Sequence, residues 1–210
     1  MDPDLARLVS RARSLIAPGR RRVLGIAGPP GAGKSTLAGE LVRRLDGQAA
    51  LVPMDGFHLA NAELRRLGRT ERKGAPDTFD ADGYVALLAR LRSPKPGTVV
   101  YAPEFDRSLE EALAGSVPVA PDVPLVVTEG NYLLHDEGAW AQVRDLVDEI
   151  WYLHADDERR VRGLVERHVR HGKPRPYAER WVRESDEVNA RLVASGRERA
   201  DLVITGALTG

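Results

Sequence analysis

The sequence predicts a three-layer α/β sandwich built on a parallel sheet of about five strands, and three observations lead to this prediction. Short apolar segments that are typical of buried strands alternate along the chain with segments of helical periodicity. The strand segments are almost wholly apolar, as expected for parallel strands that helices cover on both faces. The chain has 210 residues, which is enough for one domain with a complete core.

The predicted elements follow one another in the order expected of βαβ units. The strands are short apolar segments, at residues 22–27, 49–54, 124–130, 148–155 and 200–205. The helices have an apolar face, and we expect them at residues 34–45, 80–92, 157–172 and about 176–193. Asp80 is the expected N-cap of the second of these helices. Residues 1–20 add a short amphipathic helix that should lie on the domain.

Residues 99–123 interrupt this alternation with several prolines and short β-like segments. We interpret them as an excursion that packs at one end of the sheet. The chain contains no internal repeat and no low-complexity linker. Residues 1–210 are therefore expected to form a single domain.

Composition excludes several classes of protein. Lys and Arg together number 31, as do Asp and Glu, so the formal net charge is zero and nothing indicates a nucleic acid partner or an anionic membrane. The absence of cysteine excludes disulfides, thiol catalysis and cysteine-ligated metals. No apolar run approaches the ~20 residues of a membrane span, and the N-terminal segment lacks the apolar core of a secretory signal. We expect a cytoplasmic protein.

The strongest motif lies between the first strand and the first long helix. Residues 28–35 match the pattern Gly-x-x-x-x-Gly-Lys-Ser of a P-loop, in the strand–loop–helix context that the motif requires. Glycines allow the backbone N–H groups to point at phosphate oxygens, and the helix N-terminus adds partial positive charge. Lys34 is expected to bridge the outer phosphates, Ser35 to ligate Mg²⁺, and Thr36 to reach an inner phosphate. The alternative, a glycine-rich turn that only caps a helix, does not explain the complete pattern.

This loop predicts a P-loop NTPase sandwich that binds ATP with Mg²⁺. The predicted nucleotide contacts within the loop and the helix that follows are Gly28, Gly31, Ala32, Gly33, Lys34, Ser35 and Thr36.

Two carboxylates are placed to complete such a site. Glu129 ends the apolar segment 124–130, and a P-loop needs a second acidic group at a neighbouring strand end to organise Mg²⁺ and water. Asp55 follows the apolar segment 49–54 in the sequence Asp-Gly, which is also a common turn signal. In small kinases the strand after the P-loop helix ends near the γ-phosphate, where a carboxylate can accept a proton from the acceptor hydroxyl. We therefore interpret Asp55 as the general base as well as a turn residue.

With this P-loop and these two carboxylates, the chain resembles the uridine kinase, phosphoribulokinase and bacterial pantothenate kinase group of P-loop kinases. The resemblance extends over roughly residues 23–204. Within that group the chain is most similar to nucleoside kinase-like and sugar-transport-associated kinases. Six segments carry the resemblance: GPPGAGKST, MDGFH, RKGAPDTFD, VYAPEFDR, VVTEGNYLL and WVRESDEVNARLV.

The resemblance implies roles for particular residues. It implies that Asp55 is the base, that Glu129 is the carboxylate on the metal side, and that Tyr101, Asp106 and Arg107 contact the acceptor. Two departures leave the acceptor class open. The chain reads Arg167-His168 where the uridine kinase branch has Arg-Asp, and it ends the acceptor stretch with Phe-Asp-Arg where that branch has His-Ser-Arg.

A lid over the phosphates is predicted at residues 157–176. Arg160 and Arg167 are seven residues apart, two helical turns, and so share one helix face. We expect both to contact the nucleotide, with Arg167 offering its charge to the transferred group. The alternative is an exposed helix on which Glu158 and Glu166 pair locally.

Aromatic and polar residues near the strand ends complete the predicted acceptor pocket. Its candidates are Phe57, His58, Tyr101, Phe105 and Asn189. His58 and Asn189 could equally serve the structure of their segments. The tryptophans at 140, 151 and 181 are expected to be core or packing residues rather than base-stacking platforms, and the histidines show no zinc-ligand spacing. The loop at Thr205-Gly206 is a candidate adenine contact.

Together these residues predict an ATP-dependent kinase that phosphorylates a hydroxyl of a nucleoside-, sugar- or pantothenate-like acceptor. The alternative is a regulatory P-loop ATPase or nucleotide switch without a small acceptor, in which the MDGFH, KGAPDTFD and FDR segments would have no evident role. Because dimers are common in the group that it resembles, a homodimer is also expected.

Overall fold

The computed structural model describes residues 3–205, and its strands closely follow the predicted ones. They are β1 (Arg22–Ala27), β2 (Ala49–Pro53), β3 (Val100–Asp106), β4 (Glu111–Val119), β5 (Leu125–Gly130), β6 (Glu149–Leu153) and β7 (Leu202–Ile204). Five of these strands form one parallel sheet in the order β2-β5-β1-β6-β7. The predicted class, an α/β sandwich with about five parallel strands, is confirmed.

Eight α-helices lie among the described residues. They are α1 (Pro3–Ser14), α2 (Lys34–Arg44), α3 (Asn61–Arg66), α4 (Ala81–Arg92), α5 (Val143–Leu146), α6 (Asp157–Arg170), α7 (Arg175–Trp181) and α8 (Glu187–Ala194). The Asp80 side chain caps α4 by accepting a hydrogen bond from Gly83 N at 2.9 Å, as predicted. The predicted helix at 176–193 is confirmed as one continuous helical segment, and a π-helical turn at Val182–Asp186 joins α7 to α8 within it.

The core lies on both faces of the sheet. Alternation along β1 sends Val23 into the cluster beneath α4, whereas Leu24 and Ile26 enter the cluster beneath α1 and α2. The predicted amphipathic helix α1 packs against α2 through Leu8 and Ala12. No helix within residues 3–205 is both long and apolar enough to cross a membrane.

The excursion at 99–123 is an antiparallel hairpin of β3 and β4 beside the carboxyl end of β2. Its approach to the turn after β2 is so close that a Cβ on Gly56 would lie 2.3 Å from the Pro103 carbonyl oxygen. This contact brings the hairpin to the edge of the sheet where the P-loop lies.

The three tryptophans have different environments. Trp140 and Trp151 are 4% and 0% exposed and belong to the core, as expected. Trp181 lies outside the core, where it packs against Tyr177 and lines the cleft described below. The candidate adenine contact at Gly206 lies outside the described residues, as do the first two residues of the predicted N-terminal helix.

Candidate active site

The P-loop connects β1 to α2 and takes a backbone path that only glycine allows. Gly31 and Gly33 have φ angles of +78° and +93°, in the left-handed region. A Cβ on Gly28 would lie 2.6 Å from the Leu153 carbonyl oxygen, and one on Gly31 would lie 2.7 Å from Leu164 Cγ. The loop therefore curls against β6 and α6, and α2 begins directly after it at Lys34.

Lys34 is held at the base of the loop and is only 8% exposed. Its Nζ donates to the Pro29 carbonyl oxygen at 3.0 Å and to Asn131 Oδ1 at 2.7 Å. Burial lowers the pKa of Lys34, and the nearby carboxylates of Glu129 and Asp55 oppose that change. The ammonium thus shares the cleft with two acidic neighbours.

Ser35 and Glu129 face each other across the carboxyl ends of two neighbouring strands. Ser35 Oγ donates to Glu129 Oε1 at 2.8 Å, and Glu129 is 4% exposed. Burial raises the pKa of Glu129, Asp55 raises it further, and Lys34 lowers it. The parallel pairing of β1 with β5, which sets Ile26 opposite Glu129, brings this carboxylate to the P-loop.

Asp55 lies in a 3₁₀ turn directly after β2, at Met54–Phe57. Its backbone carbonyl closes the turn by accepting from His58 N, while its carboxylate points into the cleft and accepts from Arg107 Nη2 at 3.3 Å. The predicted turn is therefore formed, and the Asp55 side chain lines the same cleft as the P-loop, whereas its role as a general base remains a prediction.

His58 is sandwiched between two aromatic rings. Its ring centroid lies 4.0 Å from that of Phe79 and 4.8 Å from that of Phe105. Nδ1 is 2.8 Å from the Asp55 carbonyl oxygen, and because a carbonyl only accepts, Nδ1 carries the proton. Burial lowers the pKa of His58, and the Asp55 carboxylate opposes this.

These groups line one cleft with a volume of about 650 Å³. The predicted site residues that line it are Gly31, Gly33, Lys34, Ser35, Thr36, Asp55, His58, Phe105, Arg107, Glu129, Arg167 and Asn189. Gly28 and Ala32 belong to the P-loop but do not line the cleft.

The two lid arginines have different environments. Arg167 lines the cleft, and burial together with the neighbouring charge of Arg107 lowers its pKa. The expectation for Arg160 is corrected: its side chain is 1% exposed, does not line the cleft, and lies in ion pairs with Asp157 and Glu187. Helical spacing predicted that both arginines share one face of α6, but only Arg167 lines the cleft.

Three predicted acceptor residues also lie elsewhere. Phe57 packs edge-on against Tyr84 in the core, with ring centroids 5.2 Å apart. The Asp106 carboxylate accepts hydrogen bonds from Ser108 and Leu109 and so closes the hairpin turn. Tyr101 is 58% exposed and lies outside the cleft.

Tyr101 and Phe105 lie at different positions along β3. Regular alternation puts both on one face, but they are four residues, about 13 Å, apart. The register shift between Ala102 and Glu104 comes from extra residues on β4, so it leaves the alternation along β3 intact. Phe105 lines the cleft and Tyr101 does not.

The structure adds residues that sequence reasoning missed. Asn131 holds Lys34, and its position two residues after Glu129 was the available signal. Lys73, within the segment RKGAPDTFD, donates to Asn61 Oδ1 and lies 5.0 Å from the centroid of Phe105.

The helices after the lid add further residues. Tyr177 and Trp181, at i and i+4 on α7, stack with centroids 5.9 Å apart and line the cleft. Asp186, which pairs with His168, lines it too.

Comparisons with known proteins agree with this architecture. The model of the Phosphoribulokinase / Uridine kinase family matches residues 23–178. A "putative uridine kinase" of Schizosaccharomyces pombe is 31% identical over 216 residues, which cover 96% of this chain and 92% of that protein.

The crystal structure of a "putative fructose transport system kinase" from a Silicibacter species is similar with a TM-score of 0.87 and 35% identity, covering 96% of this chain and 98% of that one. A pantothenate kinase of Clavibacter michiganensis is 33% identical over 140 residues, which cover 63% of this chain and 43% of that protein.

The family match covers most of the chain and includes the P-loop, Asp55, Glu129 and Arg167. The relatives that align with it are named as kinases of small molecules. The chain is an ATP-dependent small-molecule kinase, and it belongs to the phosphoribulokinase/uridine kinase family.

Proposed function

We propose that this kinase transfers the γ-phosphoryl group of ATP to a hydroxyl of a nucleoside-, sugar- or pantothenate-like acceptor, with Asp55 as the general base. One observation carries the proposal: the Asp55 carboxylate opens into the same cleft as Lys34 and the Ser35–Glu129 pair. A base must lie beside the phosphate-binding groups for a hydroxyl to attack in line. An acceptor bound against Asp55 would meet that condition.

The nucleotide-binding part of the proposal rests on the loop and Lys34. The backbone N–H groups at the start of α2 and the buried ammonium supply the donors that a triphosphate needs. Lys34 would exchange its bonds to Pro29 and Asn131, at least in part, for phosphate oxygens. Thr36, one residue after Ser35 on α2, lines the cleft and would contact an inner phosphate.

The residues at the strand ends fit a hard divalent cation. Ser35 and Glu129 present two oxygen atoms 2.8 Å apart, and Glu129 is buried, so its carboxylate lacks the full hydration that would otherwise satisfy it. Mg²⁺ is commonly held by one or two protein oxygens together with phosphates and water. When bound, Mg²⁺ would supply positive charge that offsets the negative charge developing on the transferred group. Ser35 and Glu129 would hold it.

Asp55 would accept the proton of the attacking hydroxyl as the new P–O bond forms. In the structure its carboxylate is paired with Arg107 through one contact of 3.3 Å, which leaves its other oxygen open to a hydroxyl. Arg107 and Arg167 both line the cleft, and their guanidinium groups would stabilise charge on the transferred group. The neutral His58 and the Phe105 ring would form a wall of the acceptor pocket.

The acceptor classes differ, and the named relatives support all three. Their names refer to uridine, to fructose transport and to pantothenate, and each of these compounds offers a hydroxyl.

The same proposal includes a cytoplasmic location, where ATP is abundant and where folding does not depend on cysteine. The homodimer that the resemblance implies is testable by light scattering.

The experiment is ADP release with Mg²⁺–ATP across a panel of nucleosides, pentoses, hexoses and pantothenate. We expect acceptor-dependent ADP formation from one chemical class, with the phosphorylated product identified by mass spectrometry. The variant Asp55→Asn must lose that activity. Slow hydrolysis at the same rate with every compound would contradict the proposal and favour a regulatory ATPase.

A further inference from the structure

Asn131 contacts the P-loop lysine, Lys34, and lines the cleft, but no sequence motif assigns it a role. It follows β5 directly, two residues after Glu129, and it lines the cleft. Its Oδ1 accepts from Lys34 Nζ at 2.7 Å. An ammonium group can only donate, so the amide oxygen must be the atom that faces it. The orientation of the Asn131 amide is therefore determined by chemistry.

This orientation leaves the two N–H groups of the amide directed away from Lys34. Within residues 3–205 no protein oxygen accepts a hydrogen bond from Asn131 Nδ2 in this structure. The nitrogen is not one of the buried polar atoms that lack a partner, so it is accessible from the cleft. A donor pair thus lies next to the ammonium that serves the outer phosphates of a bound nucleotide.

The charges around Asn131 show which ligand these donors suit. Glu129 and Asp55 line the same cleft as Lys34 and Asn131, and their carboxyl oxygens are the other acceptors near the amide. Neither carboxylate accepts a hydrogen bond from the amide. An oxygen-rich anion bound beside Lys34 would supply the missing acceptor.

We propose that Asn131 Nδ2 donates a hydrogen bond to a γ-phosphoryl oxygen, while Oδ1 positions Lys34. Asn131 is then a catalytic residue, since it touches the transferred group. This inference rests on the proposed function, in which Lys34 binds the outer phosphates. Removal of one preorganised donor to a developing anion typically lowers kcat by about 10²–10³.

The test compares the affinities for ADP and for the non-hydrolysable analogue AMP-PNP, each with Mg²⁺, by isothermal titration calorimetry. Only AMP-PNP has a γ-phosphoryl group. Asn131→Ala should weaken AMP-PNP binding by about tenfold or more, the effect of one hydrogen bond to a charged group, and ADP binding by less than about threefold. A residue that only positions Lys34 would also lower the affinity for ADP, because Lys34 contacts the β-phosphate that both nucleotides carry.

Asn131→Asp separates the two functions of the amide. Its carboxylate still accepts from Lys34 but has no N–H to donate, so AMP-PNP binding should fall at least as much as in Asn131→Ala. Gln142→Ala, at an exposed amide outside the cleft, should leave both affinities unchanged. Thermal unfolding of each variant checks that the fold is intact.

Equal losses for the two nucleotides, or AMP-PNP binding by Asn131→Asp at wild-type affinity, would overturn the inference. Its failure is distinguishable from that of the proposed function. The binding test needs no acceptor, whereas the base assignment is tested by Asp55→Asn, which should bind both nucleotides normally. Normal transfer by Asp55→Asn together with selective loss in Asn131→Ala would refute only the base.

Discussion

The Arg160 guanidinium lies 2.6 Å from the Glu187 carboxylate and joins α6 to α8 behind the P-loop. The same guanidinium donates to the Pro30 carbonyl oxygen at 3.3 Å, and the side chain is only 1% exposed. The nucleotide loop, the lid helix and α8, which carries Asn189, thus share one buried cation. Its role in the structure is to hold these elements together, whereas Arg167 remains the arginine that faces the cleft.

Glu187→Ala should destabilise the protein, because it leaves the buried Arg160 with only the exposed Asp157 as an acidic partner. Breaking a buried pair costs about 3–5 kcal/mol, and we expect about 1–3 kcal/mol here since Glu187 is partly exposed and Asp157 remains. Urea unfolding measures the change. The control is Glu158→Ala, whose pair with Arg162 is exposed and should contribute less than about 0.5 kcal/mol. Similar losses in the two variants would contradict the prediction.

Asp55→Asn should lower kcat by about 10²–10⁴, the usual contribution of a general base, with ATP affinity within about threefold of wild type. The amide keeps the size of the side chain but cannot accept the proton. Steady-state kinetics and calorimetric titration with ATP measure the two quantities. Asp82→Asn changes an exposed carboxylate in the first turn of α4 and is the matched control. Undiminished turnover in Asp55→Asn would remove this residue from the base role.

Gly56→Ala and Gly39→Ala should have opposite effects on stability. A methyl group at Gly56 would lie 2.3 Å from a backbone oxygen of the hairpin, and neither backbone can yield cheaply, so we expect a loss of about 1–3 kcal/mol. Gly39 lies within α2 with no neighbour inside 4 Å, so alanine should stabilise that helix by about 0.5–1 kcal/mol. Thermal unfolding distinguishes them.

The Gly56→Ala variant should also impair transfer more than nucleotide binding, because Asp55 precedes the displaced residue while the P-loop is distant in sequence. A variant that is as stable as wild type, or one that loses ATP affinity first, would show that the contact between the turn and the hairpin does not position Asp55.

The stability contribution of His58 should depend on pH with a defined sign. Burial lowers its pKa in the folded state, so below the unfolded value of about 6.5 the unfolded chain binds a proton that the folded chain excludes. Stability due to His58 is therefore complete above about pH 6.5 and falls as the pH drops toward the folded pKa. His58→Asn, which lacks this titration, should lose less stability than wild type between pH 7.5 and pH 5 in urea unfolding. A constant difference between the two proteins would contradict this prediction.

Sequence patterns predicted the elements of the fold well because those patterns are local. Apolar strands, the Asp80 cap and the glycines of the P-loop follow from the preferences of a few adjacent residues. The features that the sequence did not predict also arise locally, but the residues that form them show no strong pattern. A π-helical turn at 182–186 shifts the facing of later residues and has no reliable sequence signature. Tyr101 was wrongly grouped with Phe105 because the sequence does not show how far along β3 the cleft extends, and only Phe105 lines it.

The sequence by itself determined that this protein has a phosphate-binding loop, a carboxylate after the second predicted strand and another at the end of the third, since a short run of adjacent residues specifies each of them. Only the tertiary structure decided how they meet. Lys34 and Asn131 are 97 positions apart, and Arg160 and Pro30 are 130 apart. Such contacts depend on the order of strands in the sheet and on which helix face becomes buried. Many sheet orders satisfy the same local preferences, and the packing of the whole chain selects one.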